Sequence, residues 1–189
     1  MGGMITLGVF LLILLGLIIY IVIIYNGFVA LKNNIEQDWS NIDVLLKQRY
    51  DELPKLIKVC EGYMQHEQKT LEEVVKARSM VNSAQGDDQK LQAQNALTDT
   101  LKSLFMVVER YPDLKADIGF RQLSNRISEI EDQIADRREL YNASVTIYNT
   151  RLDQFPDVII ARTFNFDSRS LWKIDPAHRQ DVEVNFQQN

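Results

Sequence analysis

Residues 120–155 read FRQLSNRISEIEDQIADRRELYNASVTIYNTRLDQF. Phe120, Ile127, Ile134, Tyr141, Tyr148 and Phe155 recur here at every seventh position. Leu123 and Ile130 run in a second register beside them, which Arg137 and Ser144 interrupt. A seven-residue apolar repeat draws one narrow stripe along a helix, and such a stripe is hidden from water only against another helix. The spacing predicts a helix from about residue 117 to 155, ended by Pro156, with those six residues as its packing seam.

The helices that pack against it lie upstream. A helix is expected from about Asp88 to Arg110, with Leu91, Leu97, Leu101, Leu104, Phe105 and Val108 on one side. Pro112 has no N–H and restricts Tyr111, which ends that helix. Residues 82–88 (NSAQGDD) read as a turn with Gly86 as a helix stop. Before it, Phe28, Leu31, Ile35, Trp39, Ile42, Leu45, Leu46, Leu53, Leu56, Val59 and Tyr63 lie three, four or seven apart, and Leu71, Val74, Val75, Arg78 and Val81 resume the pattern. This reads as one long amphipathic helix, with no breaker before Gly86 except Pro54 and Gly62; Pro54 either kinks the helix or marks a helix start. A short amphipathic piece is expected over 158–162, and the polar stretch Asp175 to Asn189 reads as a loose tail.

The N-terminus is of another kind. Ile5 to Tyr25 contains 21 residues without a charge, and Lys32 is the first charged side chain of the chain. At 1.5 Å per residue this run spans the roughly 30 Å hydrocarbon core of a bilayer, where only a helix pairs every backbone group. Ile5, Leu12, Leu15, Ile19 and Ile24 are expected to lie in the transmembrane segment, and Tyr20 and Tyr25 suit the interface. A cleaved signal peptide fits poorly. There is no basic leader, the run is too long, and no small-residue cleavage site precedes Asn26. Lys32, Lys47 and Arg49 follow the run and none precedes it, which points to an N-terminus outside and the remainder in the cytoplasm. Glycines at 8 and 16 do not form a G-x-x-x-G dimer face.

The expected architecture is therefore all-α. An N-terminal transmembrane helix (1–27) continues into an antiparallel up-and-down bundle of three to four long helices (28–166), followed by a C-terminal tail (167–189). Asn26-Gly27 is the only weak point between span and bundle, since Gly costs about 1 kcal/mol relative to Ala in a helix. An unbroken rod is expected across it.

Candidate chemistry is sparse. His66-Glu67 lacks the second histidine of a zinc-protease helix, because position 70 is Thr. A di-iron Glu-x-x-His motif fails because position 63 is Tyr. Glu129, Glu131, Asp132 and Asp136 alternate with Arg126, Arg137 and Arg138, which reads as a solvated helix face. Cys60 is the single cysteine. A net charge of −5 without a basic run argues against nucleic acid as a partner. No catalytic, cofactor or metal residues are expected, and the expectation is a protein that is not an enzyme. Tyr141-Asn142 and Tyr148-Asn149 repeat at seven residues and are candidates for fixing helix register. Phe164, Phe166, Leu171 and Trp172 either close the end of the bundle or form an exposed contact for the membrane or a partner, capping being the default for large aromatics.

The chain resembles the LemA family of bacterial membrane-anchored helical proteins. The matching elements are Tyr25-Asn26, residues 39–54 (WSNIDVLLKQRYDELP), Gly62-Tyr63, His66-Glu67, Ala77-Arg78, residues 111–116 (YPDLKA), Phe120, Leu123, Arg138, the two Tyr-Asn pairs and Phe155-Pro156. Leu53-Pro54-Lys55 departs from an expected Ile-Pro-Asn. The resemblance implies a four-helix bundle on one anchor in the bacterial inner membrane, with the bundle cytoplasmic and no known enzymatic activity. Function is expected to be that of a scaffold or homo-oligomeric assembly, binding membrane lipid through its N-terminal helix, associating with itself and docking other membrane proteins. The alternative is an adaptor regulating a membrane protease or a sensor kinase.

Overall fold

A computed structural model describes residues 2–173; the expected loose tail from Asp175 lies outside the described residues. The element order is α1 (Gly2–Glu61), α2 (Gln68–Ser83), α3 (Asp87–Val108), α4 (Pro112–Ala116), α5 (Ile118–Asp153) and α6 (Asp157–Thr163). No strand occurs among the described residues. The molecule is an all-α bundle in which long helices pack along apolar faces.

The 60 residues of α1 form one uninterrupted helix, about 90 Å long at 1.5 Å per residue. Asn26-Gly27 does not break it, as the sequence predicts. Gly62 ends it, and the chain turns through 62–67 before α2 starts. The amphipathic stretch of 28–81 is thus two helices rather than one. Gly86, with φ +83°, turns the chain from α2 into α3. Pro112 opens α4, where a missing N–H costs nothing. Asp117 starts α5: its Oδ1 accepts from the Phe120 backbone N–H at 2.8 Å, and its Oδ2 accepts from the Tyr63 hydroxyl at 3.1 Å. The expected pieces at 117–155 and 158–162 appear as α5 and α6, each with slightly different ends.

The described residues group into two compact units, to which α1 and α5 each contribute. The first holds residues 2–45 and 134–171; the second holds 46–133 with 172–173. In the second unit Leu53, Leu56, Met64, Val74, Leu97, Leu101, Leu104, Leu114 and Ile127 form the core. In the first, Phe28, Ile35, Ile42, Val145, Tyr148 and Leu152 are buried.

Pro54 lies inside α1 without ending it. Proline gives up the hydrogen bond to the carbonyl four residues earlier, which here belongs to Tyr50. That freed oxygen accepts from Arg78 Nε at 3.4 Å, and the Arg78 guanidinium also lies 3.8 Å from the centre of the Tyr50 ring. A cation from α2 thereby occupies the position the proline left open. Arg78→Ala should cost about 1–2 kcal/mol, the range for a charged hydrogen bond with a cation–π contact. The cost should shrink in a Pro54→Ala background, where the alanine N–H restores the helical bond to Tyr50. A double-mutant cycle by urea unfolding in mild detergent measures this; equal costs in both backgrounds would refute the pairing.

Candidate functional site

The heptad of Tyr-Asn pairs becomes intelligible in the first unit. After α6 the chain reverses through Asn165, whose φ of +54° is one that Asn tolerates better than most residues. Phe166 N–H donates to Ala161 O at 2.9 Å and Asn165 N–H to Arg162 O at 3.4 Å, closing the helix end. The chain then runs without helix along α5. Tyr148 Oη donates to Asp167 O at 3.0 Å, and Tyr141 Oη donates to Ser170 O at 3.1 Å. Seven residues of helix advance about 10.5 Å, and three residues of extended chain advance about 10 Å. The two repeats match in length, and that is why the tyrosines recur at seven. Asn149 adds a two-bond pairing: its Nδ2 donates to Arg169 O at 2.8 Å and its Oδ1 accepts from Arg169 N–H at 2.9 Å. Side chains of α5 therefore supply what a neighbouring strand would supply to that backbone. Burial raises the Tyr148 phenol pKa, so the hydroxyl keeps the proton that it donates.

A parallel arrangement serves the next residues in the second unit. Trp172 is buried, its Nε1 donates to Asn95 Oδ1 at 2.9 Å, and Asn95 Nδ2 donates to Lys173 O at 2.9 Å. The chain placed in the tail after Phe166 is thus held by side chains through Lys173. Phe166 stacks on Phe28 at 5.0 Å, and both Phe164 and Phe166 contact Tyr25, at 4.9 and 5.6 Å. Trp172 and Phe166 cap packed helices, while Phe164 and Leu171 keep substantial exposure.

The six seam residues separate. Phe120 and Ile127 are buried in the second unit, and Ile134, Tyr141 and Tyr148 in the first. Phe155 does not belong to a buried seam: it lies beyond the end of α5 and is 82% exposed. From Tyr141 the packing side of α5 continues instead through Val145, Tyr148 and Leu152. The shift by one position from the interrupted register at Ser144 keeps pace with a straight 3.6-residue helix, which drifts against a strict heptad. Of the anchor residues, Ile5, Leu12, Leu15 and Ile19 are exposed, whereas Ile24 is packed within the protein.

One buried polar centre escaped the sequence reading. Arg49 is only 1% exposed in the second unit. Its Nη1 donates to Thr98 Oγ1 at 2.7 Å and to Glu131 Oε1 at 2.5 Å, and its Nη2 donates to Gln94 Oε1. Thr98 in turn donates to Glu131 Oε2 at 2.9 Å. One guanidinium thus ties α1, α3 and α5 together. The available signal was position: Arg49 follows Leu46 by three and precedes Leu53 by four, on the apolar face of its own helix. Glu131, read as part of a solvated face, is its ion-pair partner.

Other reactive residues do not converge. Cys60 is fully buried, and burial pushes its thiol up to about 12, leaving it a neutral thiol at ordinary pH. His66 is exposed beside an open cleft of about 940 Å³, with Glu61, Glu72 and Lys76 also on its walls. Among the described residues no three His, Cys, Asp or Glu side chains are grouped so as to hold a metal ion.

The family model described as "LemA family" matches residues 38–186, most of the chain. The chain belongs to the LemA family. It is 26% identical over 160 residues to "Protein LemA" of Metamycoplasma hominis, covering 84% of this chain and 73% of that protein. It is 24% identical over 179 residues to "Magnetosome protein MamQ 1" of Paramagnetospirillum magneticum and to "Magnetosome protein MamQ" of Magnetospirillum gryphiswaldense. Those matches cover 81% of this chain and 66%, just under two thirds, of each magnetosome protein. The family assignment agrees with a membrane-anchored helical protein. Among the described residues one helix, α1, is long and apolar enough to cross a membrane; its most apolar stretch has a mean hydropathy of 3.3 and is almost wholly unburied.

Glu131→Leu would strand the Arg49 charge in the core and should cost about 3–5 kcal/mol. Arg49→Met should cost less, because Glu131 keeps 20% exposure and can recover water. Urea midpoints of the two variants decide the order; the reverse order would mean that Arg49 does not depend on Glu131. Asn149→Ala removes both bonds to Arg169 and should cost about 1–2 kcal/mol. Protection of residues 167–170 against amide exchange should fall, while α3 keeps its protection.

Proposed function

We propose that this LemA-family protein is a non-enzymatic, self-associating scaffold, with its helical units on the cytoplasmic side of a bacterial inner membrane and its N-terminus outside. The observation that carries this reading is the continuity of α1. The first 45 residues belong to one unit, so the apolar span and the core of that unit share a single helix without a linker. Such a mount fixes the position of the unit relative to the lipid, which suits a protein that presents surfaces. Among the described residues the scattered acids, the neutral buried thiol of Cys60 and the exposed His66 also favour a role without chemistry. Outward from the packed side of α5, Leu140 and Ile147 stand seven residues apart and half exposed, a spacing suited to a second helix of the same kind. Lys32, Lys47 and Arg49 on one flank support the orientation.

Native mass measurement in mild detergent is the test. The full chain should run as a defined oligomer, and Leu140→Glu with Ile147→Glu should shift it to a smaller species with unchanged helicity. A strict monomer with no co-purifying protein would overturn the scaffold reading. Cross-linking in cells that captures one membrane protease or sensor kinase, without self-linkage, would replace it with the adaptor reading.

A further inference from the structure

The geometry points to a second membrane contact: the corner between α5 and α6, led by Phe155, Ile159 and Phe164, sits in the interfacial layer of the bilayer beside the spanning helix. This inference rests on reading α1 as the anchor. The depth of the corner follows from contacts within the first unit. Tyr141 lies against Trp39, Tyr148 against Phe28, and the Arg151 guanidinium over the Phe28 ring and next to Gly27, where a Cβ would stand 2.8 Å from its Nη2. As α5 ascends in number, its partners on α1 descend toward the apolar run. Carried on at the same pitch, the turn after Arg151 falls level with Ile23 and Ile24, inside the apolar run from Ile5 to Tyr25. Two independent contacts agree. The Phe164 ring meets the Tyr25 ring edge-on at 4.9 Å, and Ile24 is 3% exposed whereas every described residue before Ile21 is exposed. Protein therefore flanks the last turn of the span.

What this flanking segment turns outward is apolar. Phe155 is 82% exposed, Ile159 55% and Phe164 47%, while Ile160 and Ala161 face inward. Three large apolar side chains on one short corner, at the depth where α1 leaves hydrocarbon, match the interfacial layer, in which aromatic rings are favoured. Charge plays a minor part. From 151 to 169 the chain carries Arg151, Arg162 and Arg169 against Asp153, Asp157 and Asp167. A balanced segment has no net attraction for anionic headgroups, so the contact is with the apolar boundary of the bilayer rather than with a particular lipid. The corner would stop α1 from rocking in the membrane, since a helix held at one point tilts freely and one held at two does not.

Phe155→Cys and Ile159→Cys, each made singly in a Cys60→Ser background, carry an environment-sensitive fluorophore in the full chain. The protein is reconstituted into vesicles of phosphatidylethanolamine and phosphatidylglycerol that contain nitroxide-labelled lipid. Position 12 in the span and exposed position 44 on α1 serve as references. Labels at 155 and 159 should show blue-shifted emission and lose intensity to the lipid quencher, as at position 12, whereas position 44 stays bright. The same result is expected in phosphatidylcholine vesicles. Quenching at 12 with water-like, unquenched labels at 155 and 159 would overturn the corner contact and leave the anchor standing. Blue-shifted but unquenched labels would show protein covering the corner and also overturn it. Loss of quenching without anionic lipid would overturn the apolar contact, and an unquenched position 12 would remove the anchor reading together with the corner.

Discussion

The apolar run at the start of α1 constrains everything that follows it. In hydrocarbon a peptide group has no water to bond, so the run must pair its own N–H and C=O groups as a helix. That helix then has no reason to stop at the membrane surface. Asn26 and Gly27 disfavour it only slightly, and the residues after them carry an apolar face, Phe28, Ile35 and Ile42, that is buried in the first unit. The result is a single helix from Gly2 to Glu61, and the packing of the first unit is built against it. In water, the exposed Ile, Leu and Phe side chains of residues 5–19 would each carry a cost on the order of 1.5–3 kcal/mol compared with burial. Lipid removes that cost, which is why the same segment can be unpacked in the protein and stable in the cell.

A helix this long needs partners at several levels, and the polar ones are specific. Arg49 joins three helices at one point in the second unit through Thr98, Gln94 and Glu131. Its charge is tolerable only because acceptors meet both terminal nitrogens; a buried ion pair of this kind adds little net stability but punishes misalignment strongly. Arg78 answers the carbonyl freed by Pro54. Both arginines set register between helices more sharply than apolar contacts do, because a hydrogen bond fails over a fraction of an ångström and dispersion does not.

The Tyr-Asn clamp solves a different problem. The chain after α6 has polar backbone groups and no sheet to join. Tyr148, Tyr141 and Asn149 bond that backbone from the side of α5, and Asn95 does the same for Lys173. Unpaired backbone groups against a packed helix would be costly, so these side chains are what allow Phe166 to reach its half-buried place and Trp172 its buried one. The same arrangement leaves Phe155 and Phe164 exposed, with Phe164 against Tyr25 at the end of the apolar run of α1.

Much of this was written in the one-dimensional pattern. Charge-free length pointed to the span, the heptad from Phe120 determined a long helix, and turn residues at Gly86 and Pro112 marked two boundaries, because each is a local property of the chain; the break after Glu61 did not show, since the apolar period resumes beyond it. Whether Pro54 kinked or started a helix was undecided by local rules, since the answer lay in Arg78, which is 24 residues away and on another helix. Arg49 read as a flanking charge until Gln94, Thr98 and Glu131 surrounded it. Phe155 fitted the heptad by number, yet the helix ended two residues short of it and left it outside. The Tyr-Asn repeat was visible as a period but not as a clamp, for its partners are backbone atoms and backbone has no sequence signature. Periodicity tells which face of a helix is apolar; only the folded chain decides what stands opposite each residue, because pairing depends on distances between segments far apart along the chain.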